Sequence, residues 1–248
     1  MTNDVSKVAI DPLSSQLGAQ VSGVDITKPL PHDTVRMLET AMCDHKVLVF
    51  RRQPLSAAQL AQFGRHFGEL QAHVQKRYQH AEVPEVVWMT NRKPDGSFDD
   101  IGAARGSAAR TRDGWHSDMA FDPIPAKFTI LHALNIPSKG GNTCFANAET
   151  VYQLLDAELR QRLIGLQADF AYGGRATNDR NQLAANALSA ADRAASVAVH
   201  PVVCAHPQTG KPAIYISPYT TCAIRGLPET EAEAIFATVY DLMDSDKV

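Results

Sequence analysis

Apolar positions along the first third of the chain recur at two different spacings. Residues 33–44 carry apolar side chains three to four positions apart, which predicts an amphipathic helix. A second helix is predicted after Ser56, because Ser56 and Gln59 have the spacing of a capping box. Short apolar runs within residues 7–24 and 46–51 predict strands, so this region mixes both kinds of element.

The middle of the chain contains more strand-like runs than helical ones. Extended segments are predicted over residues 86–89, 126–134, 143–146, 167–172, 200–204 and 213–216. Helices are predicted after Asn147, over 157–164 and from Pro228 onwards. Because strands and helices do not alternate regularly, the pattern favours a mainly β fold with flanking helices, a barrel or jelly roll, over a parallel βαβ fold. We expect residues 1–248 to form a single domain.

One long segment lacks any periodicity. Residues 91–114 are rich in Gly, Asp, Arg and Ser. A loop of this length is uncommon in a compact domain unless it has a function. Since it leads directly into Trp115 and His116, we interpret it as a candidate active-site lid.

The composition excludes several classes of protein. With 44% hydrophobic residues, 21% charged residues and a net charge of −3, the chain is typical of a soluble globular protein. No basic stripe indicates a nucleic-acid partner, and no apolar run is long enough to cross a bilayer. The N-terminus lacks the apolar segment of a secretion signal. We therefore expect a cytoplasmic protein, a homo-oligomer, that acts on a small molecule.

The run Trp115-His116-Ser117-Asp118 carries the most specific chemistry in the chain. In an extended backbone, residues i and i+2 point the same way, so His116 and Asp118 can offer a nitrogen and a carboxylate oxygen to one point. Such a pair supplies two of the three ligands of a 2-His-1-carboxylate Fe(II) site. The same pair could hold Zn²⁺ in a hydrolase that uses a catalytic water, or be the relic of a site in a non-catalytic binding protein.

Several stretches together resemble the taurine dioxygenase / 2,4-dichlorophenoxyacetate dioxygenase family of Fe(II)- and 2-oxoglutarate-dependent oxygenases. The resemblance extends from near the N-terminus to the end of the chain, and the order and spacing of its pieces make it specific. It is carried by the runs 17–25, 45–51, 67–70, 115–118, 137–143 and 200–203, with His206-Pro207 and Gly210.

The resemblance implies a double-stranded β-helix, or jelly roll, and a set of site residues. His116 and Asp118 match the first two iron ligands. Thr143 matches the threonine that hydrogen-bonds a carboxylate of 2-oxoglutarate, and His73 matches the residue that contacts the acidic group of the substrate. The implied reaction uses Fe(II), 2-oxoglutarate and O2 to hydroxylate a small anionic compound, a sulfonate or an aryloxy or alkyl carboxylate, with release of succinate and CO2.

The sequence departs from the family pattern at two kinds of position. Lys76 stands where taurine enzymes have Tyr, and Arg112 falls near the position of their Asn. The positive charge of both residues suits another anionic substrate. The family's third iron ligand, a histidine, and its 2-oxoglutarate-binding arginine have no counterpart up to Val248. We therefore expect a C-terminal truncation of a longer enzyme, with an incomplete jelly roll. The alternative is that the metal site has been lost. Two protein ligands alone predict weak iron binding.

Overall fold

A computed structural model describes residues 5–107, 114–174, 183 and 186–248, and the statements that follow concern these residues. Contacts divide the chain into two units. The first unit comprises Met1–Val87 and Phe128–Gly141, and the second comprises Trp88–Lys127 and Asn142–Val248. None of the helices in the described part of the chain combines the length and apolar character that a membrane span needs.

Helices and strands are distributed over both units. The strands are β1 (Ala9–Pro12), β2 (Ala19–Ser22), β3 (Leu48–Phe50), β4 (Gln167–Ala171), β5 (Val197–Pro201), β6 (Val203–Ala205), β7 (Pro212–Ile214) and β8 (Thr221–Ile224). The α-helices are α1 (His32–His45), α2 (Ala57–Arg65), α3 (Asp100–Ser107), α4 (Ala148–Leu154), α5 (Ala157–Leu163), α6 (Ala190–Ala195) and α7 (Glu229–Met243). Two 3₁₀ turns cover Val5–Lys7 and Lys76–Tyr78.

A three-stranded sheet of order β1-β2-β3 organises the first unit. β1 and β2 pair antiparallel, with Ala9 opposite Ser22, and β2 and β3 pair parallel. Gly23 follows β2 at a φ of +75°, and a Cβ there would lie 1.8 Å from the carbonyl oxygen of Lys7, so only glycine fits. The core of this unit is formed by apolar side chains of the sheet, of the connection between β2 and α1, and of the helices α1 and α2: Val21, Val24, Ile26, Leu30, Val35, Leu38 and Phe63.

The second unit is built around the antiparallel sheet β5-β4-β8 and the hairpin β6-β7. The helix α7 lays one apolar face on its core, in which Phe236 is 2% exposed and Val239 is fully buried. The strand β4 contributes Phe170, which is 1% exposed. Burial of large side chains of this kind is the main favourable term in folding.

Local capping signals in the sequence predicted two helix starts correctly. Ser56 and Gln59 form the reciprocal capping box that opens α2. The side chain of Asn147 accepts hydrogen bonds from the backbone N–H groups of Glu149 and Thr150 and so begins α4. Each cap satisfies amide groups that have no partner inside the helix.

Three predicted strands were wrong. Residues 126–134 and 143–146 are irregular, and in 86–89 only Val87 makes an isolated bridge, to Gln79. A short apolar run becomes a strand only where a neighbouring strand accepts its backbone hydrogen bonds, and the described residues bring none there. Leu131 is accordingly 63% exposed. The described residues thus form a mixture of sheets and helices.

The segment 91–114 is more ordered than its composition indicated. Arg92 and Phe98 form an isolated bridge, and α3 follows, with the Ile101 N–H bonded to the carboxylate of buried Asp99. The helix starts close to the preceding chain, because a Cβ on Gly102 would lie 2.1 Å from the carbonyl oxygen of Thr90. Residues 108–113 of this segment, including Arg112, lie outside the described residues.

Candidate metal-binding site

His116 and Asp118 converge, as their spacing predicted. Nε2 of His116 lies 3.2 Å from Oδ1 of Asp118. The two side chains remain 40% and 46% exposed, so solvent and small molecules can reach the atoms that face each other. Both residues belong to an irregular stretch of backbone rather than to a strand. The i, i+2 spacing therefore produced the expected convergence without the sheet from which we predicted it.

A hydrogen bond at Nδ1 fixes the orientation of the His116 ring. Nδ1 lies 2.7 Å from the carbonyl oxygen of Gly114, and a carbonyl can only accept, so Nδ1 carries the proton. In the neutral ring, Nε2 then presents a lone pair toward Asp118. This arrangement, with one nitrogen donating to a backbone carbonyl and the other available, is typical of metal-binding histidines.

Asp118 favours the protonated form of His116. Burial by itself lowers the pKa of His116, but the hydrogen bond and the negative charge of Asp118, with a contribution from the Gly114 carbonyl, outweigh it and raise the pKa above its usual value. A divalent cation would compete with a proton for Nε2 of His116, because both need the same lone pair.

A tight turn follows the pair and is anchored in the core. Met119 adopts a φ of +58°, and its carbonyl accepts a hydrogen bond from the N–H of Asp122 at 2.9 Å. Its side chain is 8% exposed. At the end of the turn, Nε2 of buried His200 lies 2.9 Å from the carbonyl oxygen of Asp122, and the His200 ring packs between those of Phe170 and Tyr215.

Trp115, the residue before His116, is held by two hydrogen bonds. The indole N–H of Trp115 donates to Oδ1 of Asp244 at 2.5 Å. The Trp115 carbonyl accepts a hydrogen bond from the N–H of Tyr219 at 3.3 Å. The ring of Tyr219 also lies against that of His116, with centroids 5.4 Å apart. The backbone on both sides of the His116–Asp118 pair is thus tied to distant parts of the second unit.

The loop that carries Tyr219 is stabilised by buried hydroxyl groups. The backbone N–H of Ser217 donates to Oγ1 of Thr221 at 2.8 Å, and the hydroxyls of Ser217 and Thr220 are 2.8 Å apart. These three residues are at most 4% exposed. Buried polar groups that satisfy one another in this way give a loop a single conformation.

The other two predicted site residues lie elsewhere. Thr143 is in the second unit with His116 and Asp118, exposed, on the irregular segment before α4. His73 is in the first unit, half-buried, and its Nδ1 accepts a hydrogen bond from the N–H of Gln75 at 3.0 Å. In the neutral ring of His73 the proton is therefore on Nε2, which suits a donor to an anionic group.

The donor set fits a divalent metal in part. Imidazole nitrogen and carboxylate oxygen are ligands that suit Fe(II) and Mn(II). Among the residues that the structure describes, no cluster of three or more His, Cys, Asp and Glu side chains could hold a metal ion. His116 and Asp118 thus supply two protein ligands, and any further ligands must come from elsewhere.

Sequence reasoning missed the residues that support the pair from a distance. Asp244 lies 129 positions from the Trp115 that it binds. Tyr219 lies on a loop that carries no metal-site motif. His200 lies in the run 200–203, to which the resemblance pointed, but its contact with the Asp122 carbonyl was not predicted. No local spacing could have identified them, since each acts through a contact that forms only in the folded chain.

Comparisons with known proteins agree with the pattern of residues. The model of the taurine catabolism dioxygenase TauD, TfdA family matches residues 9–248. The chain is 30% identical over 241 residues to an alpha-ketoglutarate-dependent 2,4-dichlorophenoxyacetate dioxygenase of Cupriavidus pinatubonensis, covering 94% of this chain and 81% of that protein. It is 25% identical over 250 residues to an alpha-ketoglutarate-dependent sulfonate dioxygenase of Saccharomyces cerevisiae, covering 98% of this chain and 57% of that protein.

A solved structure supports the same fold. The crystal structure of AAD-2 in complex with Mn(II) and N-oxalylglycine superposes with a TM-score of 0.77 at 24% identity, covering 97% of this chain and 82% of the other. At this identity the likeness concerns the fold. None of these matches gives support to a zinc-dependent hydrolase.

Proposed function

Because the chain belongs to the taurine catabolism dioxygenase TauD, TfdA family, we propose that it hydroxylates a small anionic organic substrate, a sulfonate or an aryloxy or alkyl carboxylate. Members of this family are dioxygenases that use Fe(II), 2-oxoglutarate and O2, and the chain is an enzyme of this kind. Its relatives named above act on an aryloxy acid and on sulfonates, which supports the proposed substrate class.

One observation carries the proposal: Nε2 of His116 and Oδ1 of Asp118 are 3.2 Å apart, with Nδ1 of His116 already bonded to a backbone carbonyl. A histidine whose far nitrogen is bonded in this way loses little freedom when Nε2 binds a cation. We assign His116 and Asp118 as two iron ligands. The exposure of both side chains leaves room for the cosubstrate.

When bound, the ferrous ion supplies the chemistry that couples decarboxylation of 2-oxoglutarate to hydroxylation of the substrate. The chain supplies position and electrostatics. The Asp118 carboxylate offsets the charge of the cation, and the Gly114 carbonyl keeps the His116 ring in the correct tautomer. The Tyr219 ring covers one side of His116 and limits the approach of water from that side.

Two further residues are assigned to bind anions. Thr143 has a hydroxyl that can donate to a carboxylate of 2-oxoglutarate without adding charge. His73, through its Nε2–H, is assigned to the acidic group of the substrate. Lys76, exposed on the 3₁₀ turn that follows, adds positive charge in the same part of the chain.

We also propose that the described strands belong to a jelly roll and that residues 91–114 form a lid. The bridge between Arg92 and Phe98 and the helix α3 give residues 91–107 a defined structure within the second unit. Hydrogen exchange should show added protection over residues 91–107 when substrate binds. If protection there is unchanged, the lid assignment is wrong. A cytoplasmic location and a homo-oligomeric state are retained as proposals.

Succinate formation tests the enzymatic assignment. The purified chain, loaded anaerobically with an excess of Fe(II) because two protein ligands predict weak iron binding, should release succinate on addition of O2, 2-oxoglutarate and a compound from a panel of sulfonates and aryloxy acids. His116→Ala and Asp118→Ala should abolish release, whereas His32→Ala, which removes an exposed histidine at the start of α1, should not. Release that survives both site substitutions, or product formation that needs no 2-oxoglutarate, would refute the proposal.

A further inference from the structure

The C-terminal end of the helix α7 reaches the segment that carries the metal ligands. Asp244 is the C-cap of α7, and its Oδ1 accepts the indole N–H of Trp115. Trp115 precedes His116 directly. We propose that Asp244 is a positioning residue of the metal site, which acts by holding Trp115. The assignment of a metal to this site rests on the proposed function.

The position of Asp244 is fixed by packing. Phe236, Val239 and Met243 of α7 are at most 8% exposed in the core of the second unit. The backbone N–H of Asp244 bonds to the carbonyl of Tyr240 at 3.1 Å, so the residue continues the last turn of the helix. Asp244 itself is exposed, but the packed helix that carries it fixes the position of its backbone.

Trp115 links the position of Asp244 to the backbone that carries His116 and Asp118. Its indole packs against the same core as α7, its N–H is bound by Asp244, and its carbonyl is bound by the N–H of Tyr219. With side chain and carbonyl both held, the backbone that leads into His116 has one orientation. A rotation at residue 115 would move Nε2 of His116 away from the Asp118 oxygen that now lies 3.2 Å from it.

The chemistry of this contact predicts which substitutions are tolerated. The indole N–H needs an acceptor and not a negative charge, so Asp244→Asn, which keeps an oxygen in place, should preserve the site. Asp244→Leu removes the acceptor, so the indole N–H is no longer tied to α7. Asp241→Leu, one turn earlier on the exposed side of α7, is a matched control with the same loss of charge.

Two measurements on the 248-residue chain test the proposal. The first is the affinity for Mn(II) in the presence of 2-oxoglutarate, from the electron paramagnetic resonance signal of free Mn(II). The second is hydrogen exchange of residues 114–118 in the metal-free protein. We expect Asp244→Leu to weaken Mn(II) binding by about tenfold, the lower end for loss of an outer partner of a metal ligand, and to speed exchange. Asp244→Asn and Asp241→Leu should match the wild type in both.

A second variant keeps the test decisive if Asp244→Leu does not fold. Trp115→Phe retains a ring against the core but has no N–H, and it should reproduce both effects; where the double variant folds, it should be no worse than either single variant. The proposal is overturned if the variant that folds keeps wild-type exchange over residues 114–118, or if Asp244→Asn loosens the segment as much as Leu does. Should the wild type bind no Mn(II), the proposed function fails, while the exchange comparison still decides the role of Asp244.

Discussion

The turn after Asp118 offers a test in which a substitution by glycine is expected to be more stable than the same substitution by alanine, the reverse of the usual order. Met119 has a φ of +58°, in the left-handed region, while its side chain is 8% exposed. Its backbone thus favours glycine and its surroundings favour a large apolar side chain. Replacing Met119 by Ala or by Gly separates these two demands.

Both substitutions remove the buried side chain beyond Cβ, which costs about 2–5 kcal/mol for Met→Ala in a core. Glycine also removes the buried Cβ, a further loss of about 0.8 kcal/mol. A left-handed conformation costs an L-residue roughly 1–2 kcal/mol that glycine does not lose. We therefore expect Met119→Gly to be more stable than Met119→Ala, by up to about 1 kcal/mol. In a regular element, glycine is instead about 0.5–1 kcal/mol worse than alanine.

The free energy of unfolding from urea denaturation, followed by circular dichroism, measures this order. Met243 provides the matched control, because it is also 8% exposed in the same unit but ends the helix α7. There we expect Met243→Ala to be the more stable variant. Met119→Gly should also bind Mn(II) more tightly than Met119→Ala, since the turn fixes the backbone beyond Asp118. If Met119→Gly proves less stable than Met119→Ala, the left-handed turn does not exist in solution.

Further predictions concern the titration of the site and the stability of its surroundings. In the metal-free protein, Asp118→Asn should lower the pKa of His116, measured by NMR titration, because burial is then no longer outweighed. In the wild type the raised pKa stabilises the folded state below the unfolded pKa of His116, and this contribution is lost as pH rises through the folded pKa. Metal affinity should accordingly fall as pH is lowered through that pKa, and a pH-independent affinity would contradict the assigned ligand. Gly102→Ala should destabilise the start of α3 and speed its hydrogen exchange. Gly64→Ala should be tolerated, because its Cβ would lie 2.8 Å from the end of the flexible Leu70 side chain and in ordinary contact with Ile130. His200→Leu should cost about 1–3 kcal/mol of unfolding free energy, since it removes the partner of a backbone carbonyl, and an unchanged stability would show that water replaces it.

Local patterns predicted much of the fold. The capping box at Ser56 and the cap at Asn147 begin α2 and α4, and the apolar face after Pro228 became α7. The strands predicted within residues 7–24 are β1 and β2. These elements depend on residues within a few positions of one another, so their signals are complete in the sequence.

The wrongly predicted strands over 126–134 and 143–146 show that local patterns do not predict strand pairing. Their apolar content is compatible with a strand, but a strand also needs a partner, and pairing is a property of distant segments. The helix α3 was missed for the opposite reason, because its sequence has no apolar periodicity. It is defined instead by Asp99 and by the close approach of Gly102 to Thr90.

By itself, the sequence determined that an imidazole and a carboxylate two residues apart can meet, and which family the chain resembles. Only the tertiary structure decided that they do meet outside any strand, in a backbone held by Asp244 from one side and His200 from the other. The physical reason is the range of the interactions. Spacing and capping act between residues a few positions apart, whereas these hydrogen bonds join residues dozens of positions apart and form only once the core of the second unit has packed.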